Sequence, residues 1–127
     1  MENCKERVCR KVDEILPELA SLSDDLWHNP EYNFKEYFAC KSMSTLLEKY
    51  GLTVEMGIGG LETSVKAVYD SGKPGPNIGI FGEFDAVEGM GHSCGHNVMC
   101  AISVGAGAAI KEVLDELGGR VTVYGCP

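Results

Sequence analysis

Basic side chains are scarce in this 127-residue sequence: 11 Lys and Arg stand against 19 Asp and Glu, a formal net charge of −8. The deficit runs the whole length, with 7 basic against 10 acidic residues over 1–50 and 4 against 9 over 51–127. Without a basic stripe a phosphate backbone has nothing to dock on, which sets nucleic-acid binding aside. Long apolar runs are missing too, since no stretch of ~18 consecutive apolar residues exists to span a bilayer. The amino terminus, Met1-Glu2-Asn3-Cys4-Lys5-Glu6-Arg7, is polar and lacks the apolar core of a signal peptide. Internal repeats and low-complexity segments are also absent. The expectation is a soluble, cytoplasmic chain that binds neither membrane nor nucleic acid.

What is present suits a globular domain. Hydrophobic residues make up 44% and charged residues 24%, values that argue against a disordered or fibrous chain. The length fits one domain able to bury a core. Six cysteines (4, 9, 40, 94, 100 and 126) could pair as disulfides, but they are not packed into a short loop-rich scaffold. A reducing compartment would keep them free. Cys100 and Cys126 are expected in the core, Cys4 and Cys9 on a polar helix.

Val8, Val12, Ile15, Leu19, Leu22 and Leu26 are spaced four, three, four, three and four apart, which predicts an amphipathic helix over 5–28. Pro17 should kink or restart it, and Asn29-Pro30 should stop it. Asn33-Phe34-Lys35-Glu36 reads as a capping box opening a second helix, with Cys40, Met43, Leu47 and Tyr50 on one face and Gly51 as its stop. Leu52–Ile58 and Thr63–Asp70 read as paired strands around Gly59-Gly60. Asn77–Phe81 reads as a buried central strand. A third helix is predicted over Asn97–Leu117, its Gly105, Ala106, Gly107, Ala108 and Ala109 letting it lie close on a sheet. Arg120–Tyr124 is the last strand. The order predicts an α/β fold, a sheet with flanking helices and at least one crossover.

Chemistry concentrates in residues 81–97, Phe-Gly-Glu-Phe-Asp-Ala-Val-Glu-Gly-Met-Gly-His-Ser-Cys-Gly-His-Asn. Three carboxylates (Glu83, Asp85, Glu88), two of the three histidines and one cysteine lie between a strand end and a helix start, where open α/β sheets bind ligands. Cys94 and His96, one residue apart, would point the same way in an extended turn and could share a metal ion. A thiolate at a helix N-terminus is favoured by the dipole and suits metal ligation. Alone, Cys-x-His is a weak metal signal, because a structural zinc takes about four ligands. His92 reads better as an outer hydrogen-bond partner than as a third ligand, and His28 as a helix C-terminal residue. A Cys–His nucleophile pair competes as an enzyme reading, but nothing singles out its orienting group or oxyanion hole.

Gly91-His-Ser-Cys-Gly-His-Asn97 resembles the His-x-Cys-Gly-His-Asp/Asn motif of the amidohydrolase branch of peptidase family M20. Leu26-Trp-His-Asn-Pro-Glu31 is similar to the family's His-x-x-Pro-Glu helix junction, and Gly82-Glu-Phe-Asp-Ala86 to its Asp/Glu-x-Asp-Ala segment. Glu83 and Asn97 point toward the aminobenzoyl-glutamate and dipeptide-hydrolase side. The resemblance implies the N-terminal part of a zinc-peptidase-like, three-layer catalytic domain. It also implies two divalent ions, zinc or manganese, in an enzyme that cleaves an amide bond in a small N-acyl amino acid, an aminobenzoyl-glutamate-like conjugate or a dipeptide. By motif match Cys94 and His96 are metal ligands, Asp85 orients a ligand, Glu83 lies near, and Glu88 has no mapped role.

Family members continue into a Pro-x-Glu-Glu segment with the general base, whereas this sequence ends at Gly125-Cys126-Pro127. Residues 1–127 are therefore expected to form a partial catalytic domain without the lid or dimerisation domain, inactive alone, of an enzyme that is a homo-oligomer when complete. The alternative is a non-catalytic α/β module that binds a metal or a partner.

Overall fold

The four-and-three spacing that opens the sequence becomes one helix, α1 (Cys4–His28), in the computed structural model, which describes residues 2–127. The helix does not restart at Pro17 but runs through it. Proline removes one amide from the ladder, but Ile15, Leu19, Leu22 and Leu26 are buried on both sides of it, so packing keeps both halves helical. A capping box does form, at this helix. Asn3 Oδ1 accepts from the Glu6 amide at 2.9 Å and Glu6 Oε2 from the Asn3 amide at 2.9 Å.

The capping box expected at Asn33–Glu36 is not there. The second helix, α2 (Tyr37–Lys49), follows Glu36, which makes no side-chain cap. Asn33 and Phe34 have φ of 59° and 61°, left-handed values that an N-cap residue does not take. Glu36 instead turns inward and is fully buried, accepting from the Phe34 amide at 3.0 Å and from Thr63 Oγ1 at 3.1 Å. The first-turn amides of α2 are taken by Glu31.

Strands β1 (Thr53–Met56) and β2 (Val65–Asp70) pair antiparallel, as expected, around a 3-10 turn at Ile58–Gly60. Then follow β3 (Asn77–Glu83), helix α3 (His96–Leu117) and β4 (Arg120–Cys126). The sheet order is β1-β2-β4-β3, with β4 antiparallel to β2 and parallel to β3. This bears out the mixed α/β class with one crossover, β3–α3–β4. It also corrects the place of β3, which lies at the sheet edge with Ile78 exposed and Phe81 66% exposed. A short apolar run looks the same in a central strand and in an edge strand. The last strand takes the centre, burying Val121, Thr122 and Val123.

α2 and α3 pack on the sheet, and α1 packs on α3. One core cluster joins Leu19, Leu22 and Leu26 of α1, Met43 and Leu47 of α2, Cys100 and Val104 of α3, and Val65, Ala67 and Val123 of the sheet. The small residues of α3 act as expected: a Cβ on Gly107 would strike Val123 Cγ2, so only glycine lets the helix come this near. By length and composition α3 is apolar enough to cross a membrane, with a mean hydropathy of 1.4, but 61% of that stretch is buried as a core helix. All six cysteines are free thiols, Cys100 and Cys40 buried, Cys126 and Cys4 half-buried, Cys9 and Cys94 exposed.

Candidate metal centre

The crossover places residues 84–95 between the carboxyl end of β3 and the start of α3. Val87–Gly91 forms a tight hairpin, with the Val87 amide donating to the Gly91 carbonyl at 2.8 Å and the Gly91 amide to the Val87 carbonyl at 2.9 Å. Gly95, the residue before α3, has φ 83°, a left-handed value that a side chain would resist. That turn starts the helix at His96 and swings its ring back toward β3.

His96 is held by carboxylates from both sides. Its Nδ1 lies 2.8 Å from Asp85 Oδ1 and 3.0 Å from the Asp85 carbonyl oxygen. Both of these atoms are acceptors, so Nδ1 carries a proton. Its Nε2 lies 2.8 Å from Glu83 Oε2. The His96 side chain is 20% exposed, that of Asp85 41% and that of Glu83 51%, so the cluster opens to solvent on the carboxylate side. A carboxylate that fixes one imidazole nitrogen and directs the other outward is the usual support of a metal-ligating histidine. An imidazole nitrogen and a carboxylate oxygen facing each other at 2.8 Å need a cation, proton or metal, to hold them together.

Cys94 lies beyond the Gly95 turn and is exposed. It lines a cleft of about 700 Å³ with Trp27, His28, His92 and Asn97, among others, between the end of α1 and the start of α3. Among the described residues, no three His, Cys, Asp or Glu side chains converge as a metal shell. The structure therefore brings together Glu83, Asp85 and His96, and sets Cys94 on the adjoining cleft wall. Glu88 sits exposed in the hairpin.

His92 is buried, and its Nδ1 has no hydrogen-bond partner among the described residues. Burial pushes its imidazole below the ordinary range; His96 adds to this and Asp85 opposes it. His28 behaves as the helix-end residue expected, its Nδ1 2.7 Å from the Asp24 carbonyl oxygen. Two supports escaped the sequence reading. Asn97 Nδ2 donates to Ser23 Oγ at 2.9 Å, joining the start of α3 to α1 across 74 positions, a distance over which spacing carries no signal. Glu31 was visible only as part of a junction motif.

The four-stranded mixed sheet with its flanking helices is a fold shared with M20 peptidase domains. Solved structures match it closely. A putative aminohydrolase from methicillin-resistant Staphylococcus aureus superposes with TM-score 0.83 at 23% identity, over 100% of this chain and 35% of that one. A dinuclear metal-binding M20-family peptidase of Bacillus subtilis superposes with TM-score 0.80 at 26% identity, over 91% of this chain and 36% of that one. In sequence, the chain is 31% identical to one of the subunits of the p-aminobenzoyl-glutamate hydrolase of Escherichia coli, over 84% of this chain and 26% of that protein. It is 27% identical to the human Xaa-Arg dipeptidase, over 100% of this chain and 33% of that protein.

The chain is thus homologous to the M20 peptidase family, as residues 26–31, 82–86 and 91–97 implied. No protein-family model matches it. It spans between 26% and 33% of the length of these curated relatives.

Proposed function

We propose that the chain forms part of a metal-dependent hydrolase that cleaves the amide bond of N-acyl amino acids, aminobenzoyl-glutamate-like conjugates or dipeptides. In this reading Cys94 and His96 are ligands of a divalent ion, zinc or manganese, and Asp85 orients His96. The observation that carries it is the His96 ring, gripped at Nδ1 by Asp85 and turned at Nε2 toward Glu83. A thiolate, an imidazole and an open carboxylate suit a borderline-soft ion such as zinc, whereas manganese would draw more on the carboxylates. When bound, such an ion lowers the pKa of a water and polarises a carbonyl. This chain's residues supply the grip: Asp85 retains the proton on Nδ1, and Glu83 contributes negative charge beside Nε2.

Cobalt(II) titration tests the ligand set, because thiolate ligation gives a charge-transfer band. The band should appear with the wild-type chain, vanish in Cys94→Ala and His96→Ala, and survive in Cys100→Ala. Loss in Cys100→Ala together with retention in Cys94→Ala would sink the assignment. The lack of three converging donors among the described residues favours a second reading for these residues alone, a metal-binding module without turnover.

A further inference from the structure

The Pro30-Glu31 junction belongs to one of the motifs of the resemblance, yet no part of the proposed chemistry uses it. In the structure Glu31 reaches in two directions. Its Oε1 accepts from the Phe38 amide at 3.0 Å and its Oε2 from the Ala39 amide at 3.0 Å, both in the first turn of α2. Its backbone carbonyl accepts from the Ala86 amide at 2.7 Å. Ala86 is buried and directly follows Asp85, which holds His96 Nδ1.

The two directions are linked physically. α2 has no side-chain cap from Glu36, so its first amides are orphan donors at the positive end of the helix dipole. A carboxylate spread over two adjacent amides makes charge-assisted bonds that fix both its position and its angle. Once the side chain is pinned to α2, the Glu31 backbone cannot drift, and its carbonyl becomes a fixed point for the 85–86 peptide. The buried Glu36 does not share this role, because it faces the Phe34 amide and Thr63.

We propose that Glu31 is a positioning residue for His96: pinned to the start of α2, it holds Ala86, so that Asp85 keeps the ring in one orientation and tautomer. The proposal rests on the reading of His96 as a metal ligand. Functional groups must be held within about 0.5 Å of their working geometry, and a loop carboxylate without backbone support would not meet that.

The test uses the ¹⁵N-labelled 127-residue chain, metal-free and then with cobalt(II). Glu31→Ala and Glu31→Gln are compared with Asn3→Ala, which removes a helix cap far from the site. In Glu31→Ala the Ala86 amide should exchange about tenfold faster, as a locally opened amide does. The His96 ring-nitrogen shifts should move toward a mixture of tautomers, and cobalt binding should weaken about tenfold, the lower end for groups that support a ligand. Glu31→Gln keeps one acceptor oxygen and should fall between; it serves as the readout if Glu31→Ala does not fold. Asn3→Ala should leave all three at wild-type values. Unchanged His96 shifts in a folded Glu31 variant would overturn the proposal, as would equal changes in Asn3→Ala. If the wild type binds no cobalt through Cys94 and His96, the metal reading falls, while the ring shifts and Ala86 exchange still decide the role of Glu31.

Discussion

Asp85 decides which face of the His96 ring looks outward, because its carboxylate and its own carbonyl oxygen both accept at Nδ1. Asp85→Asn keeps the shape but removes the charge, and its amide group can present a donor where the ring needs an acceptor. Divalent-metal affinity should fall about 10–100-fold, read by titration calorimetry. The thermal midpoint should move little, since Asp85 is partly exposed.

A second residue-scale contrast concerns the thiols. Burial pushes Cys100 up to about 12 from 9.0, whereas Cys94 is exposed. Under native conditions iodoacetamide should modify Cys94 and spare Cys100 until the chain unfolds. The pH effect has a definite sign. Between 9.0 and about 12 the unfolded chain releases a Cys100 proton that the folded chain keeps, so stability falls as pH rises through that window. Tyr50, pushed from 10.0 to about 12 by burial, acts in the same direction. Urea midpoints followed upward from pH 9.0 should therefore fall less steeply in Cys100→Ala than in the wild type.

At the scale of elements, close approach outweighs propensity. Gly107→Ala would gain about 1 kcal/mol of helix propensity. The new Cβ would strike Val123 Cγ2 in the central strand, and overpacking costs about 1–3 kcal/mol. Chemical denaturation should show net destabilisation. Asn3→Ala, which strips the α1 capping box, should cost about 1 kcal/mol by the same measurement. The two helix starts differ in kind: α1 is capped by its neighbours in sequence, and α2 by Glu31 from outside its own turn.

Over the whole molecule, the uncovered surface is the edge of the sheet. β3 runs seven residues, Asn77–Glu83, with no charge before Glu83, and carries exposed Ile78 and Phe81, the latter stacked on Tyr124 at 4.8 Å between ring centroids. A long uncharged edge with apolar side chains invites pairing. The chain should self-associate at high concentration, and Phe81→Lys should shift it toward monomer in sedimentation or light scattering. Because three donors do not converge among the described residues, metal-supplemented chain should show no chelator-sensitive hydrolysis of N-acyl amino acids, aminobenzoyl-glutamate or dipeptides. Turnover that disappears in Cys94→Ala would mean the 127 residues hold a working centre.

Local signals in the sequence were enough for the length and face of α1, for the β1–β2 pair, for α3 with its small residues, and for the chemistry gathered in residues 81–97. Each depends on neighbours a few positions apart: apolar spacing, glycines at turns, a motif within one loop. Tertiary structure alone decided the rest. Packing against α3 kept α1 helical across Pro17, and the left-handed turn at Asn33-Phe34 sent Glu36 inward instead of capping α2. The parallel pairing of β3 with β4 put the last strand in the middle and left the expected central strand at the edge. Gly95 opened α3 so that the His96 ring meets Glu83 and Asp85, and Glu31 came to support that loop from α2. The physical reason is common to all of these. They are set by contacts between segments distant in sequence, whose free energy no short window of residues contains.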